Sequence, residues 1–288
     1  MSRSLTSPSS EYFPVFNIQK FDPDHRNDRD VLFHKLYGER LIESPHKHDF
    51  FIIMLFRRGE GLHMIDFAEY TLGDYQIHLV FPDQVHQWHI FEQTEAYQLM
   101  IRRPVFERIS SSFRYPSMYY QQHPVMQLTE PTFQTLLQEF KAIEQEIQHP
   151  PVLWELVQAR CQVVGLLISK IAERTFKDFD IFRSVPVISK LIHLVEQHYK
   201  VQHTVSFYAD LLHISANYLN VLCRKHASRS ASHFIQDRIL LEAKRLLKAS
   251  DLTFKQIAFD LGFYDHANFS KFFKTHTNMT PTAFREQK

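Results

Sequence analysis

The sequence predicts an α+β chain of two domains, an N-terminal β-barrel or jelly roll with a helical segment behind it and a C-terminal all-α domain. Three observations lead there. Short apolar runs between glycine turns fill the front half, two amphipathic stretches meet at a Pro-Pro break in the middle, and a helix-turn-helix pattern occurs twice near the end. At 288 residues, 44% hydrophobic and with 26 Phe, the chain can fill two cores of ordinary size.

The front half has the period of strands. Phe50 to Phe56 is a continuous apolar run; Leu62 to Phe67 and Tyr75 to Phe81 follow turns marked by Gly59, Gly61 and Gly73, and Ala96 to Ile101 closes the series. Residues 1–25, polar and Ser-rich at the start, read as a flexible leader rather than a signal peptide. No run is long and apolar enough for a membrane span, so a cytoplasmic protein with no membrane partner is expected. Cys161 and Cys223 stand apart in apolar helical surroundings, which suits core residues and not a disulfide or zinc framework.

Behind the strands, Pro131 to Gln148 and Val152 to Thr175 read as helices interrupted by Pro150-Pro151. The second carries Leu153, Val157, Cys161, Val164, Ile168 and Ile171 on one stripe, with Leu156, Val163 and Leu167 beside it. One stripe can cover the barrel and the other can meet a second copy of the chain; a single wide core face fits the pattern equally well. These elements define a domain over 26–175, a linker over 176–186 with Pro186 as helix breaker, and a second domain over 187–288.

In that second domain Val205, Ala209 and Leu212 have helical spacing, His213-Ile214 makes a tight turn, and Ser215 is a good N-cap for a helix through Lys225. Leu219 and Leu222 face inward. Ser215, Ala216, Asn217, Asn220, Val221 and Arg224 are thereby left to meet DNA. The second copy repeats the plan with Ile257, Ala258 and Leu261, a turn at Gly262, Asp265 as cap and a buried side of Phe269, Phe272 and Phe273. It leaves His266, Ala267, Asn268 and Lys271 for DNA. A spacer helix over Ser232 to Ala249 joins the copies, with Arg238, Lys244, Arg245 and Lys248 on its outer side.

The charge distribution agrees. Residues 187–288 hold nine Lys and five Arg against five Asp and three Glu, while the whole chain is only +1. A basic end and a mildly acidic front suit phosphate contact by the C-terminal part alone.

The segment from Val187 to Arg285 resembles the DNA-binding domain of AraC/XylS-family transcription regulators, most specifically in AKRLL at 243–247, IAFDLGF at 257–263 and TPTAFR at 280–285. Asn278 stands where that family usually has Gly; Asn tolerates the left-handed conformation, so the turn should survive. HKHDFFIIMLFRRGEGLHMIDF, with the later FPDQVHQW, resembles the cupin-like sensor domain that precedes this module in many such regulators. The resemblance implies an effector-responsive regulator, an activator by expectation and not an enzyme, with double-stranded DNA, a small-molecule effector, RNA polymerase and a second copy as partners. A cupin-type metal-dependent enzyme fused to a DNA-binding tail is the alternative. A methyl-transfer DNA-repair sensor would need clustered cysteines.

His46, His48 and His86 fall where metal-binding cupins carry ligands, but the carboxylate ligand is missing, since Phe51 or Ile52 stands in its place. The expectation is a metal-free effector pocket of His46, His48, His86 and Trp88, with no cofactor. Metal binding, and plain strand-end hydrogen bonding by these histidines, remain as the other two readings.

Overall fold

The structure is a computed structural model and describes residues 15–21, 29–176 and 185–286. Among the described residues, ten strands form two five-stranded sheets. β1 (Val15–Phe16), β3 (Arg40–His48), β8 (Val85–Ile90), β5 (Gly61–Ile65) and β6 (Ala68–Thr71) lie in the order β1-β3-β8-β5-β6. The other sheet runs β10-β7-β4-β9-β2, from β10 (Val125–Gln127), β7 (Gln76–Val80), β4 (Phe50–Arg58), β9 (Glu95–Arg102) and β2 (Val31–Tyr37). All pairings are antiparallel except β1 with β3.

The unbroken apolar run of β4 has a simple cause: both of its faces are covered. Phe50, Ile52, Met54 and Phe56 point into the barrel with Val80, Trp88, Ile90 and Met100. Phe51, Ile53 and Leu55 point out, into a second core shared with the helices. Those helices are α1 (Arg103–Ile109), α2 (Ser117–Gln122), α3 (Glu130–Gln148) and α4 (Trp154–Thr175). α3 starts at the Thr129 cap and buries Phe133, Leu136, Leu137, Phe140, Ile143 and Ile147. In α4 the buried stripe is Val157, Cys161, Val164, Ile168 and Ala172. Leu153 lies before the helix, more than half exposed, and Ile171 is only half-buried, so the expected stripe is corrected at both ends.

The C-terminal domain comprises α5 (Pro186–His198), α6 (Val205–Leu211), α7 (Ala216–Ala227), α8 (Ala231–Ala249), α9 (Phe254–Asp260), α10 (His266–Thr277) and α11 (Pro281–Glu286). Pro186 does not break a helix but begins one, at the position where its missing N–H costs nothing. Of the expected linker, 177–184 lie outside the described residues; Phe176 stacks on His123 with ring centres 4.0 Å apart. The expected flexible leader is likewise corrected over 15–21. Val15 and Phe16 pair with Lys47 and His48, Ile18 is buried, and a 3-10 turn spans Ile18–Phe21.

Arg238 and Arg245 on α8 are not on a solvated face. Arg238 is buried between Glu196 (Nε to Oε2 2.7 Å) and Glu242 (Nη1 to Oε2 3.1 Å) and lies over the Tyr199 ring. Arg245, 2% exposed, reaches into the other domain and grips Asp66 with two bonds, Nε to Oδ1 at 2.9 Å and Nη2 to Oδ2 at 2.5 Å. Helical periodicity alone makes this side an outer surface, but Glu196 and Tyr199 at the end of α5 cover it at Arg238, and the barrel covers it at Arg245. Phe67 meets Phe284 beside this pair, with ring centres 5.8 Å apart.

Candidate nucleic-acid interface and ligand cavity

The two helices expected to face DNA, α7 and α10, are set by local chemistry. Ser215 accepts the Tyr218 N–H at its side chain and starts α7; Asp265 accepts the Asn268 N–H at 2.7 Å and starts α10. In both copies the turn before the cap uses a left-handed residue, His213 at φ 55° and Gly262 at φ 75°. A Cβ on Gly262 would stand 2.2 Å from the Lys200 carbonyl oxygen, so the second turn needs Gly for space as well as for conformation. Ser228 and Asn278 close the helices in the left-handed conformation, so Asn278 serves at the turn.

Leu219 and Cys223 anchor α7, and Phe269 and Phe273 anchor α10; Leu222 and Phe272 are half-buried. On the open side, Ser215, Asn217, Val221 and Arg224 are exposed and Ala216 is half-buried, while His266, Ala267, Asn268 and Lys271 are all exposed. Asn220 departs from the expectation. It is half-buried, and its Oδ1 accepts the Ala231 N–H at 3.1 Å, capping the start of α8. Sequence reasoning missed two aromatic groups on this surface, Tyr218 at 52% and Tyr264 at 88% exposure. Tyr264 sits directly before the Asp265 cap, and that place in the turn was a readable signal.

In the barrel, β3 and β8 bring His46, His48, His86 and Trp88 together. His46 and His86 are cross-strand partners, so the His-x-His spacing puts His48 on the same face. The ligand nitrogens of the three histidines all lie within 4.8 Å of one another. His48 Nε2 and His86 Nε2 are 2.7 Å apart. They border a cavity of about 300 Å3 whose wall also includes Phe21, Gln98 and Met100. Phe16 and Phe21, from the N-terminal segment, pack against the His48 ring.

Two further histidines, missed in the sequence, continue the cluster. His63 on β5 reaches His86 Nδ1 with its Nε2 at 3.0 Å, and its Nδ1 meets His78 Nδ1 at 3.0 Å; His78 Nε2 meets Gln76 Oε1 at 3.1 Å. Burial, reinforced by the neighbouring imidazole His46, pushes His48 and His63 down to about 3. Burial also holds His78 and His86 well below the usual histidine range. Two buried atoms here have no hydrogen-bond partner, His48 Nδ1 and Trp88 Nε1. Neutral imidazoles with an orphaned indole N–H suit a polar guest or an ion.

The Asp66–Arg245 pair ties this cavity to the C-terminal domain. Asp66 follows β5 directly; its Oδ1 faces the Val85 N–H at 3.3 Å, its own N–H donates to the Val85 carbonyl, and its Oδ2 accepts from Gln84 at 2.6 Å. Val85 precedes His86. The carboxylate held by Arg245 is therefore one residue from the histidine cluster along β8. Burial opposes the Arg245 charge, and the Asp66 carboxylate more than offsets it, holding the guanidinium above its usual range.

Among known proteins, residues 37–150 match the family described as AraC-like ligand binding domain, and residues 208–287 match a helix-turn-helix domain. The HTH-type transcriptional activator RhaS of Escherichia coli O81 (strain ED1a) is 21% identical over 254 residues, covering 84% of this chain and 87% of RhaS; RhaS of Shigella sonnei (strain Ss046) matches to the same extent. Among solved structures, ToxT from Vibrio cholerae O395 covers 88% of this chain and 96% of its own, at 13% identity and a TM-score of 0.42. The C-terminal domain of the response regulator yesN from Fusobacterium nucleatum covers 35% of this chain and all of its own, at 26% identity and a TM-score of 0.34. No helix among the described residues is long and apolar enough to cross a membrane.

Proposed function

Because the chain belongs to the AraC family of transcription regulators, with that family's ligand-binding domain ahead of its helix-turn-helix DNA-binding domain, we propose that it is an activator whose barrel cavity senses a small polar effector. The name of RhaS, a transcriptional activator, supports the sign. The effector sits against His46, His48, His86 and Trp88, and its arrival is read by the C-terminal domain through the Asp66–Arg245 contact. Effector binding alters how the two reading helices are held, and RNA polymerase meets the complex on DNA.

On the DNA side, Asn217, Val221 and Arg224 read one segment and His266, Asn268 and Lys271 another, with Ser215, Ala216 and Ala267 close to the backbone. Asn220 is left out of the readers, because its acceptor is already used within the fold. Pairing two such chains is the task of α4, where Val163 and Leu166 are exposed and Leu156 and Leu167 are half-buried along one side.

The observation that carries the reading is the pair of capped helices, α7 and α10, joined by one rigid spacer in the basic domain of a chain that also holds a histidine-lined cavity. Fluorescence anisotropy of the full chain on DNA selected from a random pool tests it. Affinity should fall steeply between low and moderate salt as counterions return to the phosphates. Affinity that stays flat with salt would sink the DNA assignment.

A further inference from the structure

We propose that His46, His48 and His86 bind one divalent first-row transition-metal ion, and that Gln76, His78 and His63 form a hydrogen-bonded chain that presents His86 to it. The proposal deepens the reading of the cavity as a sensing site and rests on that reading only for the ion's part in signalling.

The proton positions along the chain follow from one atom. Gln76 Oε1 accepts the Gly73 N–H at 2.9 Å, which identifies it as the oxygen, while Gln76 Nε2 donates to Gln127. An amide oxygen can only accept, so His78 carries its proton on Nε2 and donates to it. His78 Nδ1 is then an acceptor, and His63 must donate to it from Nδ1. His63 Nε2 is left with a lone pair and takes the proton of His86 Nδ1. His86 Nε2 therefore holds an unprotonated lone pair, and that atom faces His48. Three hydrogen bonds, two of them buried, thus fix the ligating tautomer of a histidine whose partners His46 and His48 stand beside it. An outer chain of this kind orients a ligating ring and raises its basicity.

Without an ion, the arrangement is left incomplete. His86 Nε2 can only accept, so His48 donates to it from Nε2 and keeps a bare lone pair on the buried Nδ1; an ion on Nε2 moves the proton to Nδ1, where the Phe16 backbone, which favours the protonated ring, can accept it. Two ligand nitrogens with bonds near 2.0–2.1 Å to one ion lie about 3.3 Å apart, so the 2.7 Å pair has to open by about half an ångström and the wider pairs, within 4.8 Å, to close by up to about 1.5 Å. Three imidazoles select zinc, cobalt, nickel or copper over calcium or magnesium. A carboxylate ligand is not required, because a water or a ligand oxygen can complete the site from the cavity side. Trp88 Nε1, buried and unpartnered at the cavity wall, is the donor for such an oxygen. The guest class is accordingly a small oxygen-donor anion bound to the ion.

The test uses the full chain, stripped with a chelator and titrated with Co2+ and Zn2+. In a Trp154→Phe background Trp88 is the one remaining tryptophan, and Co2+ should quench its emission with a stoichiometry of one ion per chain while visible cobalt bands appear. His86→Ala and His48→Ala should abolish this. His63→Leu, which removes no ligand, should weaken binding about 10- to 100-fold, and His63→Gln should recover part of the loss. Circular dichroism checks that each variant is folded. Absence of one-equivalent binding to the parent protein overturns the proposal, as does quenching that persists in both His86→Ala and His48→Ala. If the ion binds as described but leaves DNA affinity unchanged with and without small carboxylates, the metal site stands and the sensing role of the cavity fails.

Discussion

Asp66→Asn removes the charge in the contact between the domains. The substitution keeps the size of the side chain and its acceptor for the Val85 N–H, but removes the anion that Arg245 grips with two bonds and the oxygen that accepts from Gln84. Attraction between unit charges about 4 Å apart at an effective dielectric of 20 is about 4 kcal/mol, and breaking one side of a buried pair costs about 3–5 kcal/mol. The amide oxygen that the substitution leaves can still accept one hydrogen bond from the guanidinium, and Gln121 keeps its own at 3.1 Å. The expected net loss is about 2–3 kcal/mol, or roughly 30- to 150-fold in the docking equilibrium of the two domains. Hydrogen exchange should show it as faster exchange in the second half of α8 and around β5, with the inner strand β4 unchanged. Arg245→Met should give a loss of similar size, and the double variant Asp66→Asn/Arg245→Met should recover most of it, because two neutral partners leave no stranded charge. Single losses below about 0.5 kcal/mol, or two losses that simply add, would refute the claim that this pair holds the domains together.

Four further outcomes follow from the geometry. Gly262→Ala should cost about 1–3 kcal/mol in denaturant unfolding and lower DNA affinity, since its Cβ would strike the Lys200 carbonyl; unchanged stability would mean that the turn has room. Metal-free protein should lose stability as pH falls below 6.5. The unfolded histidines take up protons there while His48 and His63 stay neutral until about 3, a loss of roughly 2–3 kcal/mol from these two by pH 5.5, with His78 and His86 adding in the same direction; a flat urea midpoint between pH 7 and 5.5 would contradict their burial as neutral groups. If α4 pairs two chains as proposed, Leu166→Glu should shift sedimentation toward the monomer without altering the melting temperature by more than a few degrees, because Leu166 is 49% exposed on α4; an unchanged sedimentation profile would sink the proposed pairing through α4. Lys271→Ala should relax base preference in one half of the selected site, at about 1–3 kcal/mol of discrimination, whereas uniform weakening across the site would assign Lys271 to phosphate.

What could be read from the sequence was local. Ser215 and Asp265 announce their helices because a cap is decided by residues within one turn, and the structure keeps both caps. The strand β4 was legible as a run, and β8 was not, because its VHQWHI mixes polar with apolar residues and its burial depends on β3 and β5 lying on either side. His63 and His78 were missed for a related reason. Each is a lone histidine within a strand, and only the register that sets Ile65 beside His86 and Met54 beside His78 brings them into one cluster. The outer face of α8 was misread because helical periodicity shows that a side faces away from its own core, not that solvent lies beyond it. Glu196 and Asp66, which neutralise Arg238 and Arg245, are far away in the chain.

Asn220 carries one more implication. By taking the Ala231 N–H it makes α7, the first of the two helices proposed to read DNA, and α8 share a hinge pin, so the angle between them is written into a residue of α7 itself. The helix is therefore not an interchangeable cassette. Grafting a foreign recognition helix onto this chain to redirect it to a new operator would succeed only if the graft carries an acceptor at position 220. A graft without one would read its own half-site correctly while pointing the second helix at the wrong stretch of the groove.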